Sequence, residues 1–284
     1  RFFAGKSIKP VSTIIDTSSQ ITKDNLKTRI PLPVNKDELY VLSQNINNLL
    51  DRVENAIERE KQFTSDASHE LRTPLAVIKG TMEVLIRKPR DQKEYEEKIN
   101  FCITEVDRLN HMVDQLLLLA RFENQKQNIK NETIYLNAII LDNLTRFSSK
   151  IENKKLKVNT EFSEDFYIQS DNYLVSIVIS NLISNAIKYS NKNGEININL
   201  VNNNNQISFS IADKGIGISP VDIDKIFNSF YRSDVTNHAE IKGTGLGLSI
   251  VKRLCDLLKL EIAVESKLNQ GTTFILSFPL AKLK

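Results

Sequence analysis

The 284-residue sequence has no tryptophan, two methionines, three histidines and two cysteines. Cys102 and Cys255 lie far apart, each in an apolar helical pattern, which argues against a disulfide and for a reducing compartment in which both thiols serve as small buried hydrophobes. No apolar run approaches the roughly 18 to 20 residues that a membrane helix needs. The longest candidate, Leu116 to Ala120, is far shorter. Charge of one sign is also lacking. Thirty-eight Lys and Arg stand against 35 Asp and Glu, a formal net charge of +3, and the two signs interleave almost everywhere. That pattern excludes the basic stripe of a nucleic-acid binder, so no nucleic-acid partner is expected. There is no internal repeat, no Gly-Lys-Ser/Thr phosphate loop and no dinucleotide fingerprint at a first strand–helix turn. The chain opens on Arg1-Phe2-Phe3 without a methionine and is expected to be a fragment of a longer protein, cut after a membrane span.

Three regions differ in periodicity. Residues 5 to about 55 hold two helical stretches around a connector, Ile30-Pro31-Leu32-Pro33-Val34, whose prolines remove donors and restrict the residues before them. The first stretch carries Ile8, Val11, Ile15 and Ser18 at spacings of 3 and 4, with Pro10 near its expected start. Asp37 and Glu38 open the second, where acids favour a helix amino terminus. Its stripe of Leu39, Leu42, Ile46, Leu49, Val53 and Ala56 continues in frame to Phe63 and Ala67, then through Leu71, Pro74, Ile78 and Met82 to Leu85. From Phe63 onward the spacing approaches an 11-residue repeat, so the supercoil should relax there. After a turn at Pro89 another amphipathic helix carries Tyr95, Ile99, Cys102, Val106, Leu109, Val113, Leu116 and Ala120. A lone hairpin buries little, so pairing of two chains into a four-helix bundle is expected. Beyond about residue 130, strand-like runs (155–160, 195–201, 206–212, 261–265 and 272–278) alternate with helical stretches (137–152, 172–189 and 246–258), which suggests an α+β sandwich.

Several residues suit chemistry. His69 lies two positions from Ala67 and from Leu71, about 200° away around the helix, so it should point outward from the bundle core. An imidazole becomes a nucleophile when one nitrogen is free and an acid group can take the proton of the other, and Glu70 stands beside it. Thr73 and Pro74 follow one turn later. In 181–189, Asn181, Asn185, Lys188 and Tyr189 share one helix face, opposite Val178, Leu182 and Ile183. Neutral oxygens with a cation suit a hydrated Mg²⁺ bridging phosphates. Asp213-Lys214-Gly215-Ile216-Gly217 follows a strand, and its carboxylate can accept from an exocyclic amine. Gly243-Thr244-Gly245-Leu246-Gly247 leads into a helix whose amino terminus can cradle phosphate. Between these loops, Ile226-Phe227-Asn228-Ser229-Phe230-Tyr231-Arg232 reads either as a short helix packing by its aromatics or as a segment that gives Arg232 to the phosphates. Each feature alone also has a plain reading: an exposed histidine, a polar helix face, two glycine turns and an aromatic packing element.

Their order is more specific. His69-Glu70-Leu71-Arg72-Thr73-Pro74, the asparagine segment, Asp213-x-Gly-x-Gly, the Phe227 to Arg232 segment and the Gly243 loop resemble, in sequence, the H, N, G1, F and G2 boxes of HisKA-type sensor histidine kinases. The amino-terminal helix–connector–helix resembles a HAMP module. The resemblance implies a multidomain chain. Residues 1–55 would be an all-α HAMP coiled coil, 56–126 a dimeric four-helix bundle for histidine phosphotransfer, and 130–284 an α+β GHKL (Bergerat) ATP-binding sandwich. It further implies ATP and Mg²⁺ as cofactors. The expected activity is ATP:protein-L-histidine phosphotransfer to His69 and onward to an aspartate of a response regulator, together with a phosphatase activity on that regulator.

By the same resemblance, Glu70 is the base and Thr73 orients water in dephosphorylation. Asn181 and Asn185 hold the metal, and Lys188, Tyr189, Phe227 and Arg232 contact nucleotide. Asp213 reads adenine in a pocket shaped by Gly215 and Gly217, and Gly243, Thr244, Gly245, Leu246 and Gly247 form the phosphate loop. Ser233 to Lys242 is expected to be a lid. Lys214 stands where asparagine is common. A homodimer in the cytoplasmic portion of a membrane protein follows, with the signal carried by a continuous helix from Asp37. A chaperone-, mismatch-repair- or topoisomerase-type ATPase would leave His69 and the hairpin without a role. A non-enzymatic coiled-coil relay would not trap acid-labile phosphate.

Overall fold

The computed structural model describes residues 2–23, 25–124, 129–203, 206–233 and 243–279. The lid expected up to Lys242 lies outside the described residues from 234 on, and His238 with it. Two compact units divide the chain between His69 and Glu70.

The first unit holds α1 (Phe2–Gln20) and the leading part of α2 (Glu38–Leu85), with the proline connector between them in sequence. The first helix begins well before Pro10, which was expected near its start. Asp37 caps α2, its Oδ1 accepting from the amides of Leu39 and Tyr40 at 3.1 and 3.3 Å. The connector is tied down by backbone recognition. Asn47 accepts from the Ile30 amide at 2.8 Å and donates to the Ile30 carbonyl at 2.9 Å, while Arg29 pairs with Asp51 and Glu54. Ile30, Ile14 and Ser43 are buried, but the expected stripe is not: Val11, Ile15, Leu42, Leu49 and Val53 remain exposed. One chain therefore leaves its own heptad seam in water.

In the second unit α2 ends at Leu85 and a turn leads to α3 (Gln92–Asn124), where Asp91 accepts from the Glu94 amide at 2.7 Å. Cys102, Met112 and Leu119 are buried, whereas Met82, Ile99, Val106 and Val113 stay exposed. Next come β1 (Glu132–Tyr135), α4 (Leu136–Arg146), α5 (Ser148–Lys154), β2 (Lys157–Phe162), β3 (Tyr167–Ser170) and α6 (Asn172–Tyr189). The chain closes with β4 (Glu195–Asn203), β5 (Gln206–Asp213), α7 (Gly247–Leu258), β6 (Glu261–Lys267) and β7 (Gly271–Pro279). The main sheet has the order β2-β4-β5-β7-β6, with β2 parallel to β4 and the other pairs antiparallel; β1 and β3 form a separate ribbon. Helix α6 packs on α4, α7 and β5 through Val178, Ile179, Leu182 and Ile183, so the expected α+β sandwich is present.

Three local expectations are corrected. Residues 137–152 form two helices because Phe147 interrupts them. Strand β2 starts at Lys157, since Lys155 takes a left-handed conformation to cap α5. The segment from Pro220 to Phe230 folds as successive turns rather than a short helix around Phe227.

Candidate functional site

Along β5, Ile207, Phe209, Ile211 and Asp213 alternate onto the buried face, and their partners on β7 are Phe278, Leu276, Phe274 and Thr272. Asp213 thus occupies the last inward position of a hydrophobic strand. It lies at one side of a cleft of about 760 Å³ walled by Ile216, Ile218, Ile226, Leu248 and Phe274. Burial raises its pKa to about 6, against the amides of Gly215 and Thr272 and the charge of Lys154, which favour the carboxylate. The Gly215 amide donates to Asp213 Oδ1 at 2.9 Å. An apolar slot with one carboxylate fits a flat heteroaromatic ring carrying an amine.

A second, more polar cavity of about 930 Å³ adjoins it, sharing Asn185, Tyr189, Ile226, Tyr231 and Leu248. Asn181, Asn185 and Lys188 reach it from the polar face of α6, because the opposite face is committed to the core. The loop of Gly243, Thr244, Gly245 and Gly247 lines its other side. Lys188 Nζ donates to Tyr189 Oη at 3.1 Å and lies 4.7 Å from the centre of that ring. Burial, then the nearby Arg232 and Arg108, lower the Lys188 pKa to about 8. Converging cations beside glycine amides at the start of α7 suit an oligophosphate.

Asn181 donates from Nδ2 to the Ile177 carbonyl at 2.9 Å, and its Oδ1 lies where a Cβ on Gly247 would approach to 2.8 Å. Among the described residues no group of three His, Cys, Asp or Glu gathers as a metal site. The oxygens available beside the cations are neutral amides, which fit a divalent ion whose charge is balanced by phosphates rather than by protein.

The structure thus brings together Asn181, Asn185, Lys188, Tyr189, Asp213, Gly217, Arg232 and the residues Gly243, Thr244, Gly245 and Gly247. Phe227 lines neither cavity and its neighbour Ile226 lines both; Gly215 and Leu246 are buried and line neither. His69 and Thr73 are exposed on α2, with Glu70 half-buried between them. Sequence reasoning missed Tyr231, whose Oη donates to Asp222 at 2.6 Å, and it missed Arg108, His111 and Gln115 of α3. The α3 residues carried no signal, being ordinary polar positions of an amphipathic helix.

The fold and its two adjoining cavities define an ATPase domain: residues 170–282 match the family described as Histidine kinase-, DNA gyrase B-, and HSP90-like ATPase. Ahead of it, residues 59–125 match the His Kinase A (phospho-acceptor) domain and residues 2–55 the HAMP domain. By these matches the chain carries, in order, a HAMP domain, a His Kinase A (phospho-acceptor) domain and a histidine kinase-like ATPase domain. It is 30% identical over 278 residues to the signal transduction histidine-protein kinase ArlS of Staphylococcus epidermidis, covering 98% of this chain and 61% of that protein. ArlS of Staphylococcus aureus is 31% identical over 289 residues, covering 97% of this chain and 61% of its own length. The chain therefore spans about three fifths of these curated relatives. Among solved structures, the Acinetobacter baumannii histidine kinase AdeS superposes with a TM-score of 0.61 at 25% identity, over 75% of this chain and 98% of that one. Histidine kinase ThkA in complex with response regulator protein TrrA shares the fold, with a TM-score of 0.65 at 23% identity over 81% of this chain and 66% of that one.

Proposed function

We propose that the chain is the kinase core of a two-component sensor. It transfers the γ-phosphoryl group of ATP to His69, and His69 passes it to an aspartate of a response regulator. The observation that carries this reading is the pairing of a buried carboxylate in an apolar slot with an adjoining cavity of cations and glycines, on a chain that also bears His69-Glu70-Leu71-Arg72-Thr73-Pro74.

Residues 1–55 are assigned to a HAMP-like input module, 56–126 to the phosphotransfer hairpin and 130–284 to nucleotide binding. Asp213 accepts the adenine amino group, and Tyr189 and the apolar wall hold the ring. Lys188 and Arg232 draw charge off the phosphates, and the loop amides of Gly243, Gly245 and Gly247 orient them. Asn185 and Asn181 would hold Mg²⁺, which when bound supplies further charge neutralisation at the phosphate oxygens. One imidazole nitrogen of His69 attacks the γ-phosphorus in line, the bond to the bridging oxygen breaks, and ADP leaves. Glu70 takes the proton from the other ring nitrogen. Thr73 is assigned to orienting the water that hydrolyses the regulator's phospho-aspartate, which releases inorganic phosphate.

The exposed apolar seam of Met82, Ile99, Val106 and Val113 supports a homodimer, since one hairpin leaves it in water. The ThkA complex with TrrA supports a response regulator as the second partner. The HAMP match supports a membrane-anchored parent, although among the described residues no helix is long and apolar enough to cross a bilayer.

The test is incubation with γ-labelled ATP. Acid-labile phosphate should appear on the chain and be absent from His69→Gln. Label retained at His111 or His238 in that variant would overturn the assignment.

A further inference from the structure

The second cavity has a wall that the nucleotide reading does not use. Three residues of α3, Arg108, His111 and Gln115, face the same space as Lys188, Asn185 and Thr244. The contact is specific, because Thr244 Oγ1 in the glycine loop donates to Gln115 Oε1 at 2.8 Å. Helix α3 therefore closes the phosphate end of the site and is latched to its loop.

Arg108 is poorly satisfied there. Its Nη1 reaches Glu105 at 3.4 Å, beyond ordinary hydrogen-bond length, and its Nε is buried without a partner. Among the described residues no Asp or Glu lines this cavity, although Lys188 lines it and Arg232 lies close enough to Lys188 to act on its charge. A buried guanidinium donor left unpaired beside other cations costs free energy in the empty protein. An oxyanion in the cavity would satisfy the donor and relieve the repulsion in one step, and arginine is the side chain whose planar fork matches a phosphate.

We propose that Arg108 is a phosphate-binding residue that contacts the terminal phosphate of bound ATP from α3, and so makes this docked arrangement selective for the triphosphate. The proposal rests on the nucleotide reading above and adds to it a ligand from the hairpin. In the docked form, Asp213 and the apolar slot hold the base, common to ATP and ADP, while Arg108 senses only the group that distinguishes them. Loss of the terminal phosphate then removes the charge that offsets Arg108, and the hold of the ATP-binding domain on α3 weakens. Gln115, through Thr244, acts as a positioning residue that keeps the loop within reach.

The test is calorimetric titration of the full chain with Mg²⁺-ADP and with a non-hydrolysable ATP analogue, for the wild type, Arg108→Ala, Arg108→Lys and Gln115→Ala. Arg108→Ala should weaken the triphosphate about tenfold, the size of one charge-assisted hydrogen bond. ADP affinity should stay within about twofold, by the same argument, and retained ADP binding also reports an intact fold. Arg108→Lys should recover part of the loss, and Gln115→Ala should show a smaller loss of the same selectivity. Equal losses for both nucleotides, or no loss for either, would overturn the role of Arg108 while leaving the nucleotide site standing. A wild-type chain that binds neither nucleotide would overturn the site itself.

Discussion

The amide of Phe230 donates to the carbonyl of Gly245 at 3.0 Å, joining the turn segment that ends the first cavity to the loop that lines the second. Both residues are left-handed, Phe230 at φ 63° and Gly245 at φ 72°, and a Cβ on Gly245 would stand 2.6 Å from the Phe230 carbonyl carbon. Close approach and handedness together leave room for glycine alone. Gly245→Ala should cost roughly 1 to 3 kcal/mol of stability through strain and displace the phosphate loop. Thermal melting and nucleotide titration should both fall; a variant with native melting and native affinity would show that the clasp is dispensable.

Lys154 holds the far end of the same site. Its Nζ donates to the carbonyls of Ile187, Lys188 and Ser190 at 3.0, 2.8 and 2.8 Å, closing the carboxyl terminus of α6 where Lys188 and Tyr189 sit. A cation there also opposes the helix dipole. Lys154→Met should lower the urea midpoint, with a loss of unfolding free energy on the order of 1 to 2 kcal/mol, and weaken nucleotide binding, because the last turn of α6 loses its anchor. Unchanged affinity beside a lowered midpoint would confine Lys154 to stability.

Two groups set opposite pH limits. Asp213 is raised from 3.8 to about 6 by burial, so the stability it contributes is full below about 3.8 and is lost as pH rises through about 6. Lys188 is lowered from 10.5 to about 8, first by burial and then by Arg232 and Arg108, so its penalty is full below about 8 and is relieved as pH rises toward 10.5. A bound nucleotide reverses both, since an amine donor favours the carboxylate and phosphates favour the ammonium. Mg²⁺-ADP affinity should therefore be highest between about pH 6 and about pH 8. Asp213→Asn should flatten the acid limb and raise the melting temperature of the empty protein at neutral pH, and Lys188→Met should flatten the alkaline limb. Calorimetric pH profiles of the three proteins check this; an acid limb that survives in Asp213→Asn would assign it elsewhere.

Asn185 faces both cavities from the polar side of α6, while the docking face of that helix is apolar. Asn185→Ala should therefore abolish the Mg²⁺ dependence of nucleotide binding and the kinase activity, yet leave the stability of the empty protein within about 0.5 kcal/mol, as for a surface substitution. A comparable loss of stability without nucleotide would make it a structural asparagine.

Much of this molecule was readable in one dimension because its signals are local. The 3,4 stripes of the hairpin, the alternation that ends on Asp213 and the i, i+4, i+7 face of α6 each follow from the pitch of a helix or the pleat of a strand. The helical period places Asn181, Asn185 and Lys188 on one face before any contact is known, whereas the buried side of β5 for Asp213 comes from the structure. Tertiary structure decided the rest. Phe227 was legible as part of a motif, but the turns from Pro220 to Phe230 put Ile226 on the cavity wall instead, because a chain without a repeating pitch has no face to read. Arg108 and Gln115 look like routine polar positions of α3, and they meet Lys188 and Thr244 only when distant segments dock. The pKa values of Asp213 and Lys188 likewise come from desolvation and neighbouring charge, which arise only when the chain folds around them.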